Sequence, residues 1–282
     1  MAQLPLLLLP LLATLAYFLR RRRHRHALRT LRAKHVWLVG ASRGIGRATA
    51  LHLASLGAKL TISSRPSPSL NQLADQLDKN LVSVVPFDVT DRQALAHAVR
   101  SVLNGPPIDV VIANAGINHD NLPFSALSET QVDRVLDTNF RSVAHLFSLL
   151  LPHLKQRPDA LLCAISSMAA YRGVNGGSVY SASKAALTTF CQALDVELYH
   201  SSVSVVCVHP GFVLTSAISH LKNPKPFLLT PHQAAVEIVN AIAMKYSHYG
   251  FPWLMEHVVL PFSTCVPTSV YNYLMPKLST YG

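Results

Sequence analysis

The sequence predicts an α/β fold, a single domain in which helices cover both faces of a doubly wound parallel sheet. From about His35 onward, short apolar runs alternate with segments of helical pattern, which is the order that a parallel sheet with helical crossovers requires. The first such run, residues 35–39, is followed at once by a glycine-rich turn and then by a helical pattern. A stretch of about 250 residues is long enough for one large domain.

The glycine-rich turn carries the first functional signal. Residues 40–46 read Gly-Ala-Ser-Arg-Gly-Ile-Gly and lie between the predicted first strand and the predicted first helix. Gly40 permits a tight turn, whereas Gly44 and Gly46 allow the backbone to approach a pyrophosphate and the helix to pack closely on the strand. The N-terminus of that helix offers unpaired N–H groups and the positive end of its dipole to phosphates. Strand, turn and helix together predict a dinucleotide site.

A phenol and an ammonium form the second signal. Tyr180 and Lys184 lie four residues apart in a segment of helical pattern, so both side chains occupy one face. An ammonium near a phenol favours the phenolate, which makes the phenol a usable acid or base near neutral pH. Ser167 could hold a carbonyl or hydroxyl oxygen against that phenol. A solvated Tyr beside a solvated Lys is the alternative interpretation of this spacing, and the dinucleotide motif favours catalysis.

These signals, together with Ala-Asn-Ala-Gly at 113–116, resemble the classical short-chain dehydrogenase/reductase family, in the family's order and from about residue 36 to about residue 215. The resemblance implies a Rossmann-type sheet and an active-site tetrad of Asn139, Ser167, Tyr180 and Lys184. Tyr180 would be the proton donor or acceptor, and Lys184 would lower its pKa and hydrogen-bond the nicotinamide ribose. Ser167 would polarise the substrate carbonyl, and Asn139 would hold the helix geometry and a water of the proton relay.

The same resemblance assigns the cofactor contacts. Asp88 would contact the adenine from the end of the third strand, and Thr215 would lie near the nicotinamide amide and the pyrophosphate. Ser166 competes with Ser167 for the catalytic position, and Ser167 is favoured because it lies thirteen residues before Tyr180, the usual family separation. The full set of predicted cofactor contacts is Gly40, Ser42, Arg43, Gly44, Ile45, Gly46, Ser64, Arg65, Asp88, Val89, Asn114, Ala115, Gly116, Tyr180, Lys184, Pro210, Gly211, Val213 and Thr215.

The end of the predicted second strand, residues 58–64, indicates which dinucleotide binds. An NAD enzyme carries an acidic residue near this point, bonded to the ribose 2′-OH. This sequence has Ser64 there, with Arg65 beside it, and Arg43 in the glycine-rich turn supplies a second guanidinium. Two guanidiniums can hold a 2′-phosphate through charge-assisted hydrogen bonds. We therefore predict NADP(H); the alternative is that Arg65 only opens a solvated loop.

The N-terminal residues predict a membrane attachment. Residues 4–19 are uncharged and largely apolar, and a basic run at 20–25 follows them, the reverse of the charge order in a cleaved signal peptide. We expect a membrane anchor at residues 1–19, a basic juxtamembrane linker at 20–34, and a catalytic domain at 35–250 that faces the cytosol from the endoplasmic reticulum membrane. The main alternative is a shallow interfacial anchor, because Pro5 and Pro10 weaken a straight helix; a buried core helix is a lesser one.

The charge distribution argues against one class of partner. Eight basic residues at 20–34 are unopposed by acids and account for most of the net charge of +11, leaving +3 for residues 35–282. Such a cluster suits anionic lipid headgroups. Nucleic acid is not expected as a partner, because the charge is not spread over the folded domain. The four cysteines form no C-x-x-C pair and are expected to be free thiols, and no metal site is predicted.

The C-terminal residues predict the substrate class. Residues 212–230 supply either an apolar lid or an ordinarily packed short helix. Residues 251–282 lack the family's usual final strand, and prolines break their apolar runs, which favours an apolar flap at the membrane interface over a second spanning helix. Similar tails occur in membrane-anchored relatives that act on steroids, retinoids and sphingoid ketones, so the resemblance implies a lipid substrate.

The predicted function is NADPH-dependent reduction of a lipid-like carbonyl, or oxidation of the corresponding alcohol. The alternative is a membrane-tethered NADP-binding scaffold without turnover, against which the intact tetrad argues. The family also implies a homodimer that pairs through helices near residues 130–153 and 178–198.

Overall fold

Parallel strands form one seven-stranded sheet in the computed structural model, which describes residues 28–118, 122–216 and 225–278. The strands are β1 (His35–Val39), β2 (Lys59–Ser63), β3 (Val82–Val84), β4 (Val110–Ala113), β5 (Ala160–Ile165), β6 (Val203–Pro210) and β7 (His248–Phe251). Their order is β3-β2-β1-β4-β5-β6-β7, so the winding direction reverses between β1 and β4. A reversal of this kind opens a crevice at the carboxyl ends of the strands. The doubly wound α/β sheet expected from the sequence is confirmed.

Helices connect the strands and cover both faces of the sheet. They are α1 (Gly44–Ser55), α2 (Pro68–Asp75), α3 (Arg92–Leu103), α4 (Glu129–Leu136), α5 (Ser142–Leu154), α6 (Ser178–Glu197), α7 (Pro231–Met244), α8 (Leu260–Cys265) and α9 (Thr268–Leu278). Local sequence fixes where several of them begin. For α7, the Thr230 hydroxyl accepts from the Gln233 N–H while the Gln233 side chain accepts from the Thr230 N–H, a capping box that satisfies two backbone donors.

Two apolar cores hold the helices on the sheet. In β1, Val36 and Leu38 enter the core beneath α1, α2 and α7, whereas Trp37 and Val39 enter the core beneath α3, α5 and α6. Successive side chains of a strand point to opposite faces, so a strand buried on both sides must be apolar at nearly every position. This explains why β1 appears in the sequence as an unbroken apolar run.

Residues 28–34 pack on the domain, although the sequence assigned them to the linker. Leu31 is buried in the core beneath α1, α2 and α7, and Leu28 packs against that core. Lys34 Nζ forms an ion pair with Asp159 Oδ2 at 3.0 Å. The folded domain therefore begins before His35, because these apolar side chains find a place against the sheet. The predicted membrane anchor, and the linker as far as residue 27, lie outside the described residues.

The sheet ends in a strand that the sequence did not lead us to expect. β7 pairs in parallel with β6, and Phe251 is buried opposite Pro210, so the predicted boundary between residues 250 and 251 cuts through a strand. The strand is hard to recognise because it has only four residues, includes Gly250, and precedes Pro252, which cannot donate to a ladder. A π-helical turn (Met255–Val259), α8 and α9 follow. No helix among the described residues is long and apolar enough to cross a bilayer.

Candidate active site

The glycine-rich turn lies against the end of β4, where there is no room for side chains. Gly40 has φ of +93°, and a Cβ there would lie 2.5 Å from the Ala115 nitrogen. A Cβ on Gly46 would lie 2.0 Å from the Gly40 carbonyl oxygen, far inside contact distance. The Asn114 side-chain amide donates to that same oxygen at 2.7 Å and fixes the turn to β4. Glycine is therefore dictated by close backbone approach at both positions.

A groove of about 540 Å³ opens beside this turn, at the carboxyl ends of β1, β2 and β4. Its position beside the reversal of the sheet is where ligands bind in this class of fold. The predicted cofactor residues that line it are Gly40, Ser42, Arg43, Gly44, Ile45, Ser64, Arg65, Asp88, Val89, Asn114, Ala115, Gly116 and Thr215. The groove thus provides the glycine cradle and the two guanidiniums that a phosphorylated dinucleotide would need.

Other predicted cofactor residues lie elsewhere. Val213 is buried in the core beneath α7 and pairs with Leu229 in an isolated bridge, and its contact with the cofactor stays a prediction. Pro210 is the last residue of β6, and Gly211 follows it, close to Met168 and Pro252. Asp88 does line the groove, but it lies four residues beyond the end of β3 rather than at the end of the strand.

Residues that the sequence did not lead us to expect also line the groove. Ser67 and Ser69 line it at the start of α2, and Arg134 lines it from α4. The Ser67 hydroxyl accepts from the Leu70 N–H, and Pro68 follows in the first turn. Ser-Pro at this point is a helix-start signature, and it could have placed a helix N-terminus near the end of β2. Arg134 had no comparable signal, because it is one of several charged residues on an exposed helix.

The four predicted catalytic residues come together beside this groove. The Ser167 side chain lies close enough to the Tyr180 hydroxyl to act on the pKa of the phenol. Lys184, one turn further along α6, donates from Nζ to the Ile165 carbonyl at 2.7 Å and lies 6.0 Å from the centre of the Tyr180 ring. A Cβ on Gly116 would lie 3.3 Å from Lys184 Nζ, so the groove adjoins the lysine.

Asn139 lies in a π-helical turn, Asp137–Arg141, between α4 and α5. Its Oδ1 accepts from the Ile117 N–H at 2.8 Å, and its Nδ2 donates to the Ile117 carbonyl at 2.9 Å and to Ser183 Oγ at 3.0 Å. The side chain therefore links the segment after β4 to the residue that precedes Lys184. Single π-helical turns are frequent at functional sites because they redirect one side chain out of the helical register.

Burial controls the acid–base properties of the pair on α6. Burial raises the pKa of Tyr180, and the hydrogen bond from Ser167 opposes this effect without overcoming it. Burial also lowers the pKa of Lys184 to about 8, with Cys207 and Cys191 acting in the opposite direction. The Lys184 ammonium is held by the Ile165 carbonyl, and the lowering of the Tyr180 pKa that the resemblance implies for it stays a prediction.

The two neighbouring serines have separate partners. Ser166 is buried, and its hydroxyl donates to the Lys184 carbonyl at 3.0 Å and contacts Thr188 Oγ1 at 2.8 Å. Ser167 instead faces Tyr180 and accepts from the Ala169 N–H at 3.1 Å, which starts the 3-10 turn Met168–Ala170. Of the two hydroxyls, that of Ser167 is the one positioned beside the phenol.

The comparison with known proteins identifies the family. The sequence profile described as "short chain dehydrogenase" matches residues 34–225. The chain belongs to the short-chain dehydrogenase family. It is 35% identical over 223 residues to an uncharacterized oxidoreductase of Myxococcus xanthus, across 77% of this chain and 86% of that protein. It is 34% identical over 223 residues to a ketoacyl reductase of Nostoc, across 77% of each.

The fold of this short-chain dehydrogenase also matches a solved structure. A short-chain dehydrogenase from Burkholderia cenocepacia in complex with NADP superposes with a TM-score of 0.74 at 20% identity, over 86% of this chain and 98% of that chain. At this identity the likeness concerns the fold. Membership of the family makes the chain an oxidoreductase that uses a nicotinamide cofactor on small-molecule substrates.

Apolar side chains are exposed in the last part of this dehydrogenase. Trp253 is 66% exposed and Tyr273 is 65% exposed, far more than is usual for such large side chains. Their exposed neighbours in sequence are Leu254, Val258, Val259, Val270 and Leu274. In the predicted lid, Leu214, Phe227 and Leu228 are exposed as well, whereas residues 217–224 lie outside the described residues. Exposure of several large apolar side chains within one segment is uncommon on a folded domain.

The cysteines and histidines offer no metal site within the described residues. Cys163, Cys191 and Cys207 are buried free thiols, as expected, whereas Cys265 is exposed in α8.

Proposed function

We propose that this enzyme uses NADPH to reduce the carbonyl of a lipid-like substrate at a membrane surface. The observation that carries the proposal is the grouping of Ser167, Tyr180 and Lys184: Ser167 acts on the Tyr180 phenol, and the Lys184 ammonium lies one helical turn along α6 and next to the groove. These are the groups that a carbonyl needs for proton donation and polarisation.

The chain's own residues perform the proton transfer in this proposal. NADPH supplies the hydride when bound. Ser167 and Tyr180 hold the substrate oxygen between their hydroxyl groups, which polarises the carbonyl. The Tyr180 phenol, whose pKa burial raises, gives its proton to that oxygen. Lys184 then stabilises the phenolate that remains.

The choice of NADP(H) is supported by the lining of the groove. Arg43 and Arg65 both line it, and Ser64 stands at the end of β2 where an acid would bind the ribose of NAD. The Asp88 carboxylate already accepts from Thr90, at 2.9 Å from its nitrogen and 2.8 Å from its hydroxyl. Guanidinium groups suit a 2′-phosphate because they are permanently charged and donate in pairs.

The lipid-like substrate and the membrane are supported by the apolar surface of residues 253–274 and by the apolar and basic sequence of residues 1–25. We propose that residues 1–19 anchor the enzyme in the endoplasmic reticulum membrane, with the catalytic domain in the cytosol. A homodimer through α5 and α6 completes the proposal. Leu149, Val196 and Tyr199, exposed on these helices and just beyond α6, support such pairing.

The test is NADPH oxidation by the full-length protein in nanodiscs, scanned over ketosphingoid, steroid and retinoid carbonyl compounds. Turnover of one class, absent in Tyr180→Phe, would support the proposal and name the substrate. Tight NADPH binding without turnover of any of the three classes would count against it and favour the tethered NADP-binding scaffold.

A further inference from the structure

The chain that connects Ser167 to α6 is fastened to the C-terminal segment, which we define as residues 252–278. Tyr171 donates its hydroxyl to Glu256 Oε1 at 2.8 Å. Arg172 donates from Nη1 to the Val266 carbonyl at 2.9 Å, and its guanidinium lies 3.8 Å from the centre of the Tyr271 ring. The Tyr271 hydroxyl donates to the Gly173 carbonyl at 2.8 Å. Three consecutive residues near the active site are thus held by a distant part of the chain.

Tyr171 is connected to Ser167 through a single 3-10 turn. The Ala170 N–H donates to the Ser167 carbonyl at 3.0 Å, and the Tyr171 N–H donates to the Met168 carbonyl at 3.3 Å. The Ala169 N–H donates to the Ser167 hydroxyl itself at 3.1 Å. These hydrogen bonds fix the backbone between Ser167 and Tyr171. A displacement of Tyr171 therefore changes the position of the Ser167 hydroxyl beside Tyr180.

Glu256 holds two partners at once. Besides Tyr171, its Oε1 lies 3.1 Å from His248 Nε2, and His248 also contacts the Tyr171 hydroxyl. Only 9% of the Glu256 side chain is exposed, and its Oε2 lies against Gly250, where a Cβ would come within 1.8 Å. A buried carboxylate is tolerated only where it is paired, so each of the three side chains depends on the others. His209 completes the packing, with its ring 4.2 Å from that of His248 and 5.2 Å from that of Tyr171.

We propose that Tyr171, His248 and Glu256 form a latch that positions Ser167 for catalysis. Glu256 and Tyr171 are positioning residues: they act on the substrate oxygen through Ser167 and do not touch it. The proposal rests on the carbonyl reduction proposed above, and it gives the C-terminal segment a direct mechanical connection to the catalytic hydroxyl.

A second tyrosine–glutamate pair in the same region provides a control that distinguishes positioning of Ser167 from a general stabilisation of the C-terminal region. Tyr249 donates its hydroxyl to Glu237 Oε2 at 2.6 Å and joins β7 to α7 on the opposite face of the strand. Removal of either hydroxyl deletes the same kind of bond near the same end of the chain. Of these two tyrosines, only Tyr171 is joined by one turn to Ser167. A positioning role therefore predicts that Tyr171→Phe alone disturbs Ser167, whereas a general loosening of the C-terminal region would affect both variants equally.

The first test is amide hydrogen exchange in the full-length protein, without substrate, for Tyr171→Phe, Glu256→Gln and Tyr249→Phe. Tyr171→Phe is expected to speed exchange at Ala169 and Ala170 about tenfold, because these amides bond to Ser167. Glu256→Gln keeps an oxygen that accepts from Tyr171 and should retain most of the protection. Equal exchange in Tyr171→Phe and Tyr249→Phe would overturn the latch.

The second test measures steady-state kinetics on the carbonyl compound that the wild-type enzyme reduces. Tyr171→Phe should lower kcat about 5- to 20-fold through misplacement of Ser167, with the Kd for NADPH unchanged. Tyr249→Phe should leave kcat at the wild-type value. Faster exchange with unchanged kcat would overturn the positioning role. Absence of wild-type turnover would count against the proposed function alone, because the exchange experiment decides the latch without substrate.

Discussion

The cofactor half of the molecule, residues 35–118, and the C-terminal segment hold the active site by different physical means. In the cofactor half, backbone packs on backbone: Gly40 lies against Ala115, and Gly46 lies against Gly40. In the C-terminal segment, side chains reach across 85 to 98 positions of sequence, as Glu256 does to Tyr171 and Tyr271 to Gly173. The first arrangement restricts residue types at fixed spacings, whereas the second needs only complementary side chains that the fold brings together.

The largest expected effect falls between the two regions, at the proton donor. Tyr180→Phe should lower kcat by about 10²–10⁴-fold, the usual contribution of a positioned acid. The Kd for NADPH, measured by fluorescence titration, should stay at the wild-type value because the groove is untouched. Tyr246→Phe removes a hydroxyl far from Ser167 and is the control. Equal loss in both variants would contradict the role of Tyr180.

In the cofactor half, an added methyl group should be costly. Gly46→Ala would force a Cβ to within 2.0 Å of the Gly40 carbonyl oxygen. We expect the free energy of unfolding to fall by about 1–3 kcal/mol, and NADPH binding to weaken because the turn moves. In Gly105→Ala the nearest contact is 3.4 Å, an ordinary distance, so this variant should resemble the wild type in chemical denaturation. A neutral Gly46→Ala would show that the backbone contact is not restrictive.

Cofactor choice can be tested at the edge of the same half. Arg65→Ala should weaken NADPH binding by about 10- to 100-fold, the value of a charge-assisted hydrogen bond of roughly 1.5–3 kcal/mol, and should leave NADH binding nearly unchanged. Arg47→Ala is the matched control, because Arg47 bonds to Gln76 on the surface and does not line the groove. If wild-type enzyme used NADH as well as NADPH, the assignment would fail.

The exposed side of the C-terminal segment should matter for membranes and not for the cofactor. In a variant that lacks the proposed anchor, residues 1–19, Trp253→Ser combined with Leu254→Ser is expected to weaken binding to anionic vesicles about 10- to 100-fold. Only the exposed parts of the two side chains can enter the membrane, and each side chain contributes roughly 1.5–3 kcal/mol when fully buried. NADPH affinity should be unaffected. Val84→Ser, on the edge strand β3 at the other end of the sheet, is the control for lost surface apolarity. Unchanged vesicle binding by the double variant would argue against an interfacial role.

The smallest expected effect is a pH dependence of stability at the latch. The hydrogen bond to Glu256 raises the pKa of His248. The contribution of protonated His248 to the free energy of unfolding is therefore complete below the ordinary pKa of 6.5 and is lost as the pH rises through the raised pKa. Burial acts to raise the pKa of Glu256, but the bonds from His248 and Tyr171 outweigh it and hold this pKa below the ordinary 4.5. The contribution of the Glu256 carboxylate to stability is therefore lost as the pH falls through that lowered pKa. The other titratable groups around His248 are Tyr171, His209 and Cys207.

Because His248 is 36% exposed, solvent screens the pair, and its contribution should be about 1 kcal/mol or less. Thermal unfolding of wild type and Glu256→Gln should therefore differ in Tm by about 2–4 °C at most, and the difference should be larger near pH 6 than near pH 9. A constant difference across this range would contradict the assignment of the ion pair.

The predictable part of the site follows the local chemistry of the chain. Gly40 and Gly46 were recognisable because close backbone packing leaves room for a hydrogen atom and not for a side chain. Tyr180 and Lys184 were recognisable because their helical spacing places them on one face. The bridge between Val213 and Leu229 was not predicted, because it pairs two segments that are not neighbours in sequence. The raised pKa of Tyr180 was missed because burial depends on everything packed around the ring.

By itself, the sequence determined the alternation of strands and helices, the dinucleotide turn and the grouping of Ser167, Tyr180 and Lys184, since each depends on residues near one another in the chain. Only the tertiary structure decided that β7 completes the sheet, that Lys184 bonds to Ile165, and that Glu256 reaches Tyr171. Those contacts join positions whose separation in sequence carries no periodic or compositional signal. Packing of the whole domain selects them, because a short edge strand and a buried carboxylate are stable only with their partners in place.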